Sequence, residues 1–461
     1  AFVRRHGVVG LFMQGLTPPD KGWSENAELR AYLIAKLLWD PATNVSRIID
    51  EFHSAFYGAA AQPMRDYHDL LHRQVRPPPG GRGHHFWVYA GPAASHLSSD
   101  FLERARRLLS RAEAAAGGDA VRRRVQRARL TLDYVALWRL LPLSVQGGHY
   151  QLPDSPDVKA RWSDFLTRAR GLGITSLRYG ADLKHDEVDL PARLRPYGIV
   201  TLENSSIRAH VAPELSGRVI QLIDKATGLD ALRRIDPGER GYPDFGGINV
   251  AVYPDYDSRA WETQWRLDAS PRSGEMLLSG LCPNGIRLRR TIALKGDTLR
   301  TATIIENPTG QPVHLAVQSR IDFSPGSMDD PRVAVAFHSL DGRRVDKTLY
   351  DPDREPYGGQ SLAGPGLPDG EWRAFHRAGG LTLTNRFRKE QVSRCYAGWS
   401  ARGDNRINLN LWTQRRTLHP GETISLDADY SLAGYAEQAD LPQELRQKPG
   451  PPRHRVASLP E

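Results

Sequence analysis

Apolar positions recur at helical spacing through roughly the first 170 residues and in alternation after about residue 196. The stretch "SENAELRAYLIAKLLWDP" sets Leu29, Leu33, Leu37 and Leu38 on one helical stripe, which Asp40-Pro41 stops. A second helix is predicted from about Asn44, with Val45, Ile48, Ile49, Phe52 and Phe56 inward and Gly58 ending it. A third carries Met64, Tyr67, Leu71 and Val75. "RPPPGGRGHH", residues 76–85, reads as a loop or exposed linker. Helices resume near Asp100 with Phe101, Ala105, Leu108 and Ala112, and stop at Gly117-Gly118. The next carries Val121, Val125, Ala128, Leu132 and Val135. A last helix follows Ser155, a capping residue, with Pro156 at its first position.

Beyond residue 196 the spacing is that of strands. Residues 198–228 read as two strands with a short connection. "NGIRLRRTIALKGDTLRTATIIENPTGQPVHLAVQSRIDF" reads as a meander that turns at Gly296-Asp297 and again at Pro308-Thr309-Gly310. A Pro420-Gly421 turn closes the series. So long an antiparallel run fits a large two-sheet sandwich.

One strand lies far from the others. In "HGVVGLFMQG", Val8, Val9, Leu11, Phe12 and Met13 form a short apolar run bounded by glycines. A buried strand, a loop and then an amphipathic helix is one unit of a β/α barrel. A single unit cannot close a barrel. The expectation is therefore a last barrel unit whose earlier strands belong to sequence upstream. Gln14, at the C-terminal end of this strand, would lie on the face where barrels keep their active sites.

Composition narrows the function classes. The chain has 461 residues, 40% hydrophobic and 25% charged, as in ordinary globular proteins of more than one domain. No apolar run approaches the roughly 20 residues that span a bilayer, and membrane insertion is not expected. The formal charge of +9 invites a nucleic-acid reading. Arginine far outnumbers lysine, however, and the basic residues are scattered without interleaved aromatics. The densest run, Arg122, Arg123, Arg124, Arg127 and Arg129, lies on a predicted helix and reads as a solvated face. Nucleic acid is not an expected partner. Two cysteines, Cys282 and Cys395, with no CxxC, exclude a cysteine zinc site and leave their pairing open. No compartment is assigned, although an extracytoplasmic one is favoured.

"LFMQG" and "ELRAYLIAKLLWDPATNVSRIIDEFHSAFYGAAAQPMRDYHDLLH", with the helices after them, resemble the C-terminal half of the DUF4838 proteins over residues 1–195. These are large bacterial proteins classed with the barrel glycoside hydrolases. That family commonly has an acidic residue where Met13 stands, which leaves Gln14 as the position carried over. "LENSSIRAHVAPELSGRVIQLIDKATGLDAL" and "LNLWTQRRTLHPGETISLDADYSL" resemble the first hairpin and final strands of the galactose-mutarotase-like sandwich, over residues 196–435. The resemblance implies either a sugar isomerase or an accessory domain of a glycosidase. The Glu and His that mutarotases use have no convincing counterpart in this sequence.

The fold class expected is multidomain α+β. A β/α-barrel remnant spans 1–40, a helical domain 41–195 and a large antiparallel mutarotase-like sandwich 196–436, followed by a disordered tail at 437–461. Glycosidases need two carboxylates, and barrel families supply them from middle strands, so the catalytic pair is expected upstream and the chain alone is expected to be inactive. Gln14 and Trp23 are candidates for hydroxyl bonding and ring stacking, or else pack the barrel rim. Glu28 reaches the barrel mouth or is a first-turn acid favoured by the helix dipole. In "YPDFGGINVAVYPDYDSRAWETQW", Asp244, Asn249 and Trp261 are candidate sugar contacts, and with Asp255, Asp257, Glu262 and Trp265 they line a sugar or calcium site or form a polar hairpin end on a large sheet. Arg218 stands where members of the sandwich superfamily carry a conspicuous arginine. His68 and His72, four apart on a helix, lack an evident third metal ligand. Glu371 and His376 are a further acid–base pair only if the fold joins them. No metal or cofactor is expected. The partner expected is a carbohydrate, bound by part of a bacterial glycoside hydrolase. The alternatives are a non-catalytic binding or architectural module and a sugar epimerase or mutarotase. The sugar, the linkage and the oligomeric state are not legible.

Overall fold

The computed structural model describes residues 25–74, 97–139, 144–151, 156–174, 196–232, 246–254, 258, 260, 263–269, 274–324, 333–348, 357–376, 380–400 and 406–434. The expected barrel strand, the 76–85 linker and the C-terminal tail lie outside these residues. The chain divides into two compact units, 1–144 with 151–195, and 145–150 with 196–461.

The first unit is helical: α1 (Ala27–Trp39), α2 (Val45–Tyr57), α3 (Ala61–Arg73), α4 (Ser99–Ala114), α5 (Asp119–Arg139) and α6 (Pro156–Gly171). Two starts are capped by side chains. Asn44 accepts from the Arg47 amide at 3.2 Å and Ser98 from the Phe101 amide at 3.1 Å. One core gathers Phe52, Met64, Tyr67, Leu70, Phe101, Ala105 and Leu109 from α2, α3 and α4. A second joins Leu130 and Leu137 of α5 to Trp162, Phe165 and Leu166 of α6. Two residues assigned to buried stripes, Leu38 and Val45, are instead 53% and 46% exposed. Both sit at helix ends, where the stripe runs past the neighbour it packs on.

The arginine run on α5 is not simply a solvated face. Arg127 pairs with Glu28 of α1 and Arg129 with Glu113 of α4. Arg124 donates to the Phe56 carbonyl of α2 at 2.6 Å, with its guanidinium over the Phe56 ring. The charges form the seam that ties α5 to three other helices.

The second unit opens with a hairpin that periodicity missed, β1 (Ser144–Gln146) and β2 (His149–Gln151), with β2 pairing to β3 (Tyr197–Gly198). Gly147 and Gly148 make its turn at positive φ, 54° and 77°. The segment read as two strands is three: β4 (Val200–Glu203), β5 (Ile207–Ala212) and β6 (Arg218–Asp224). The remaining strands are β7 (Ile248–Tyr253), β8 (Arg266–Ala269), β9 (Glu275–Leu281), β10 (Arg287–Lys295), β11 (Thr298–Glu306), β12 (Val313–Phe323), β13 (Val333–Ser339), β14 (Arg344–Thr348), β15 (Tyr357–Ala363), β16 (Pro368–His376), β17 (Leu381–Phe387), β18 (Arg394–Ser400), β19 (Arg406–Trp412), β20 (Arg416–Leu418) and β21 (Thr423–Gly434).

They form two nine-stranded sheets. The front sheet has the order β15-β18-β19-β12-β7-β6-β5-β4, with β20 on the end of β12; the back sheet is β14-β13-β16-β17-β21-β11-β10-β9-β8. The paired registers are antiparallel throughout. Alternate residues of both sheets meet in one core, for example Leu315, Val317, Ile321 and Phe323 of β12 with Leu426, Ala428, Tyr430 and Leu432 of β21. The Ser319 and Tyr430 hydroxyls bond across it at 2.9 Å. Cys282 and Cys395 are free buried thiols in this core.

The Pro308-Thr309-Gly310 turn does not continue a meander. It carries the chain from β11 in the back sheet to β12 in the front sheet. Buried Asn307 holds this crossover, its amide nitrogen donating to the carbonyls of Gln311 at 2.8 Å and Leu418 at 2.9 Å. No helix among the described residues is long and apolar enough to cross a membrane.

Two buried groups of the helical unit titrate in opposite senses. The rings of His53, His68 and His72 stand in a row, with centroids 5.4 and 4.3 Å apart. Burial, then the neighbouring histidines, hold His68 down from 6.5 to about 4. The folded form takes up its proton later than the unfolded chain, so stability present above pH 6.5 is lost as pH falls toward 4. Glu25 accepts from the Tyr67 hydroxyl at 3.1 Å, and burial pushes its carboxyl up from 4.5 to about 7. Its contribution is present below pH 4.5 and is lost as pH rises to 7. Urea titrations followed by the far-UV helical signal should separate the two. His68→Gln should weaken the acid-side loss, and Glu25→Gln should exceed the wild type in stability above pH 7.

Candidate functional site

The central strands of the front sheet are buried on both faces. Along β12, Leu315, Val317, Ile321 and Phe323 face the sandwich core, so Ala316, Gln318, Arg320 and Asp322 face the other way. All four are nonetheless buried. On β7, Ile248, Val250 and Val252 face the core and Asn249 and Ala251 face outward, again buried. Polar side chains out of water on the side away from the core are costly unless each finds a partner. This outer face is the candidate site.

Its floor is a cross-strand row. Asn249 stands directly opposite Arg320 in the β7–β12 register. Val219 pairs with Ile248, which brings Arg218 of β6 alongside Asn249. Asn249 is 1% exposed, and neither its amide nitrogen nor its oxygen has a hydrogen-bond partner. One position along, the Gln318 amide oxygen is likewise buried and unpartnered. Asp322 is committed to structure: one oxygen accepts from the Gly246 amide and the other from the Asn408 side chain.

The backbone under this row is fixed from behind. Arg290 of β10 is fully buried on the core side and donates to the Gly217 carbonyl at 2.9 Å. Burial brings its guanidinium down to about 10, which leaves it charged at neutral pH. Gly217 has a φ of +60°, and a Cβ there would lie 2.8 Å from the Trp265 ring. Gly247, at +73°, lies so close to the Val219 carbonyl that a Cβ would collide with it and would press on the Arg218 side chain at 3.2 Å. Arg218 itself donates to the Gly246 carbonyl at 3.1 Å.

Toward β18 the face becomes aromatic. Tyr396 and Trp412 alternate with core residues Cys395, Ala397 and Leu411, so both point outward, and both are half-buried. Their rings meet edge to face at 6.5 Å. The Arg394 guanidinium lies 4.2 Å over the Trp412 ring. Trp412 stands opposite Gln318, and Asn410, whose side-chain oxygen is unpartnered, stands opposite Tyr396.

The sequence-predicted residues distribute as follows. Arg218 and Asn249 come together on this face. Glu28 is in the other unit, in the first turn of α1 and 3.6 Å from Arg127, as the first-turn reading expects. Gln14, Trp23, Asp244 and Trp261 lie outside the described residues, as do Asp255, Asp257 and Glu262. Trp265 packs on Gly217 and supports the backbone. Glu371 and His376 are five apart on β16, so they point to opposite faces. Glu371 is held by Arg373 and Arg386. Among the described residues, no three His, Cys, Asp or Glu side chains stand so as to hold a metal, the His53–His68–His72 row included. His210, on the outer face at β5, bonds Thr201 at 3.0 Å, and burial lowers its pKa. Glu203 beside it is tied to Arg208 and Lys225, whose hydrogen bonds hold it down at about 2. Gln318, Arg320, Asn410, Tyr396 and Trp412 were not singled out from sequence. The signal for Gln318 and Arg320 was a long strand pattern with no exposed phase, "LAVQSRIDF".

Residues 1–69 match the family DUF4838, a domain of unknown function. No curated protein matches the chain. Among solved structures, the chain is similar to a putative aldose 1-epimerase from Escherichia coli, at 13% identity and a TM-score of 0.39, over 51% of this chain and 99% of that one. It is similar to a galactose mutarotase-like protein from Lactobacillus casei, at 14% identity and a TM-score of 0.40, over 51% and 100%. It is also similar to a putative aldose 1-epimerase from Klebsiella pneumoniae, at 10% identity and a TM-score of 0.42, over 53% and 82%.

Proposed function

We propose that the chain is part of a carbohydrate-active protein, a glycoside hydrolase when complete, whose β-sandwich binds saccharide on the outer face of the front sheet. The observation that carries this reading is Asn249. A buried primary amide with its donors and its acceptor all unpartnered is costly to the fold, by about 1–3 kcal/mol for each unsatisfied group. A hydroxyl-rich ligand supplies both roles at once, because adjacent sugar hydroxyls donate and accept. Gln318 adds an acceptor, Arg320 a donor, and Tyr396 an apolar surface for the C–H face of a ring, edged by Trp412 under the Arg394 guanidinium.

Hydrolysis needs two carboxylates across the scissile bond. On the central strands of this face the described carboxylate is Asp322, and both its oxygens are occupied. The reading therefore assigns recognition to the sandwich, and hydrolysis to the barrel that the resemblance of the first 195 residues implies. The same occupancy speaks against isomerisation on this face. The nearby glutamate and histidine, Glu203 and His210, are engaged elsewhere.

Calorimetric titration of the purified chain with soluble plant and bacterial polysaccharides tests the reading. At least one should bind, and Asn249→Ala should weaken it by about tenfold or more, the cost of one or two buried hydrogen bonds. Binding that survives Asn249→Ala unchanged, in a variant with wild-type unfolding, would sink the assignment of this face.

A further inference from the structure

The outer face of the front sheet has two extremes of different chemistry, Asn249 on β7 and Tyr396 on β18, which lie too far apart for one sugar ring, with Gln318 and Trp412 standing opposite each other between them. The polar end is Asn249 on β7 with Gln318 on β12. The aromatic end is Trp412 on β19 with Tyr396 on β18. The strand order β18-β19-β12-β7 puts three strand spacings between the extremes, about 14 Å at roughly 4.8 Å per spacing.

The aromatic end is built flat. Gly398 on β18 stands opposite Gly359 on β15. A Cβ on either glycine would overlap the Tyr396 ring. The two bare positions let that ring lie against the sheet, as a wall, where a side chain at either site would tip it outward. Each glycine also costs strand stability, since it brings no side chain to pack. A flat aromatic surface edged by Trp412 complements the C–H face of a pyranose. Unpartnered amides complement its hydroxyl edge. Because Asn249 and Tyr396 stand three strands apart, one ring cannot use both.

We infer that the ligand of this face is an oligosaccharide lying across the strands, with one unit on Asn249 and Gln318 and a later unit on Tyr396 and Trp412. This rests on the saccharide-binding reading above and names the ligand class within it. A chain that crosses strands meets a different residue set at each spacing, so affinity should rise in steps with length and then level off.

The test is calorimetry on the full chain with ladders from mono- to tetrasaccharide of α- and β-linked glucose, galactose and xylose. For the ladder that binds, the trisaccharide should bind at least about tenfold more tightly than the monosaccharide. In Tyr396→Ala that ratio should fall toward one. Gly359→Ala, at an exposed position that keeps the tyrosine but displaces its ring, should lower the ratio in the same direction. Asn249→Ala should lower affinity for every length. A monosaccharide that binds as well as the trisaccharide would overturn the inference while leaving saccharide binding intact. So would Tyr396→Ala and Gly359→Ala variants that keep the wild-type ratio. Failure of every ladder to bind would overturn the binding reading and this inference together.

Discussion

A strand buried on both faces has no solvent to satisfy its polar side chains, and β12 is such a strand. Its alternation sends Leu315, Val317, Ile321 and Phe323 into the sandwich and Gln318, Arg320 and Asp322 to the opposite side, yet all are buried. Such a strand becomes stable only if its neighbours answer it residue by residue. β19 does so with Asn408 reaching Asp322, whereas Asn249 of β7 stands opposite Arg320 without a hydrogen bond to it. The answer is incomplete at Asn249 and Gln318, whose amides keep unmet capacity. Most buried polar groups in folded proteins are satisfied, so the exceptions mark where a ligand or ordered water completes the structure.

The face keeps its shape because the core side supports it. Arg290 reaches from the back sheet to the Gly217 carbonyl, at the start of the strand that carries Arg218. Its buried guanidinium holds that carbonyl through Nη1, while Nε and Nη2 have no hydrogen-bond partner. Gly217 and Gly247 permit the close approach of Trp265 and Arg218. Side chains on one face of the sheet are thus placed by backbone geometry set from the other. A substitution in the core beneath them would be read out at the ligand face without touching it.

What was legible in the sequence follows from which physical signals are local. Helix spacing and the breaks at Asp40 and Gly58 act within a few residues, and the helices they delimit are present. The β10–β11 hairpin was readable because Gly296 turns it, and the β20–β21 turn because Pro420 and Gly421 do. The β1–β2 hairpin was missed because its strands are too short to alternate, although Gly147-Gly148 marked its turn. The crossover at Asn307 was missed because a turn sequence does not say which sheet the next strand joins. At the site, Arg218 and Asn249 stood out beside glycines. Gln318, Arg320 and Trp412 sat in patterns that look like ordinary strands until partners bury both faces.

Several arginines serve to fix one element beside another. Guanidinium groups of α5 pair with Glu28 and Glu113, and Arg124 ties a carbonyl and a ring of α2. In the sandwich, Arg287 and Arg289 share Glu306, and Arg208 shares Glu203 with Lys225. Exposed pairs of this kind add little to stability. Their effect is on which helix or strand lies beside which, because a planar guanidinium demands direction as well as charge. These arginines act as directional ties. A phosphate-binding surface would need the opposite arrangement, cations gathered on one side with their donors turned to solvent.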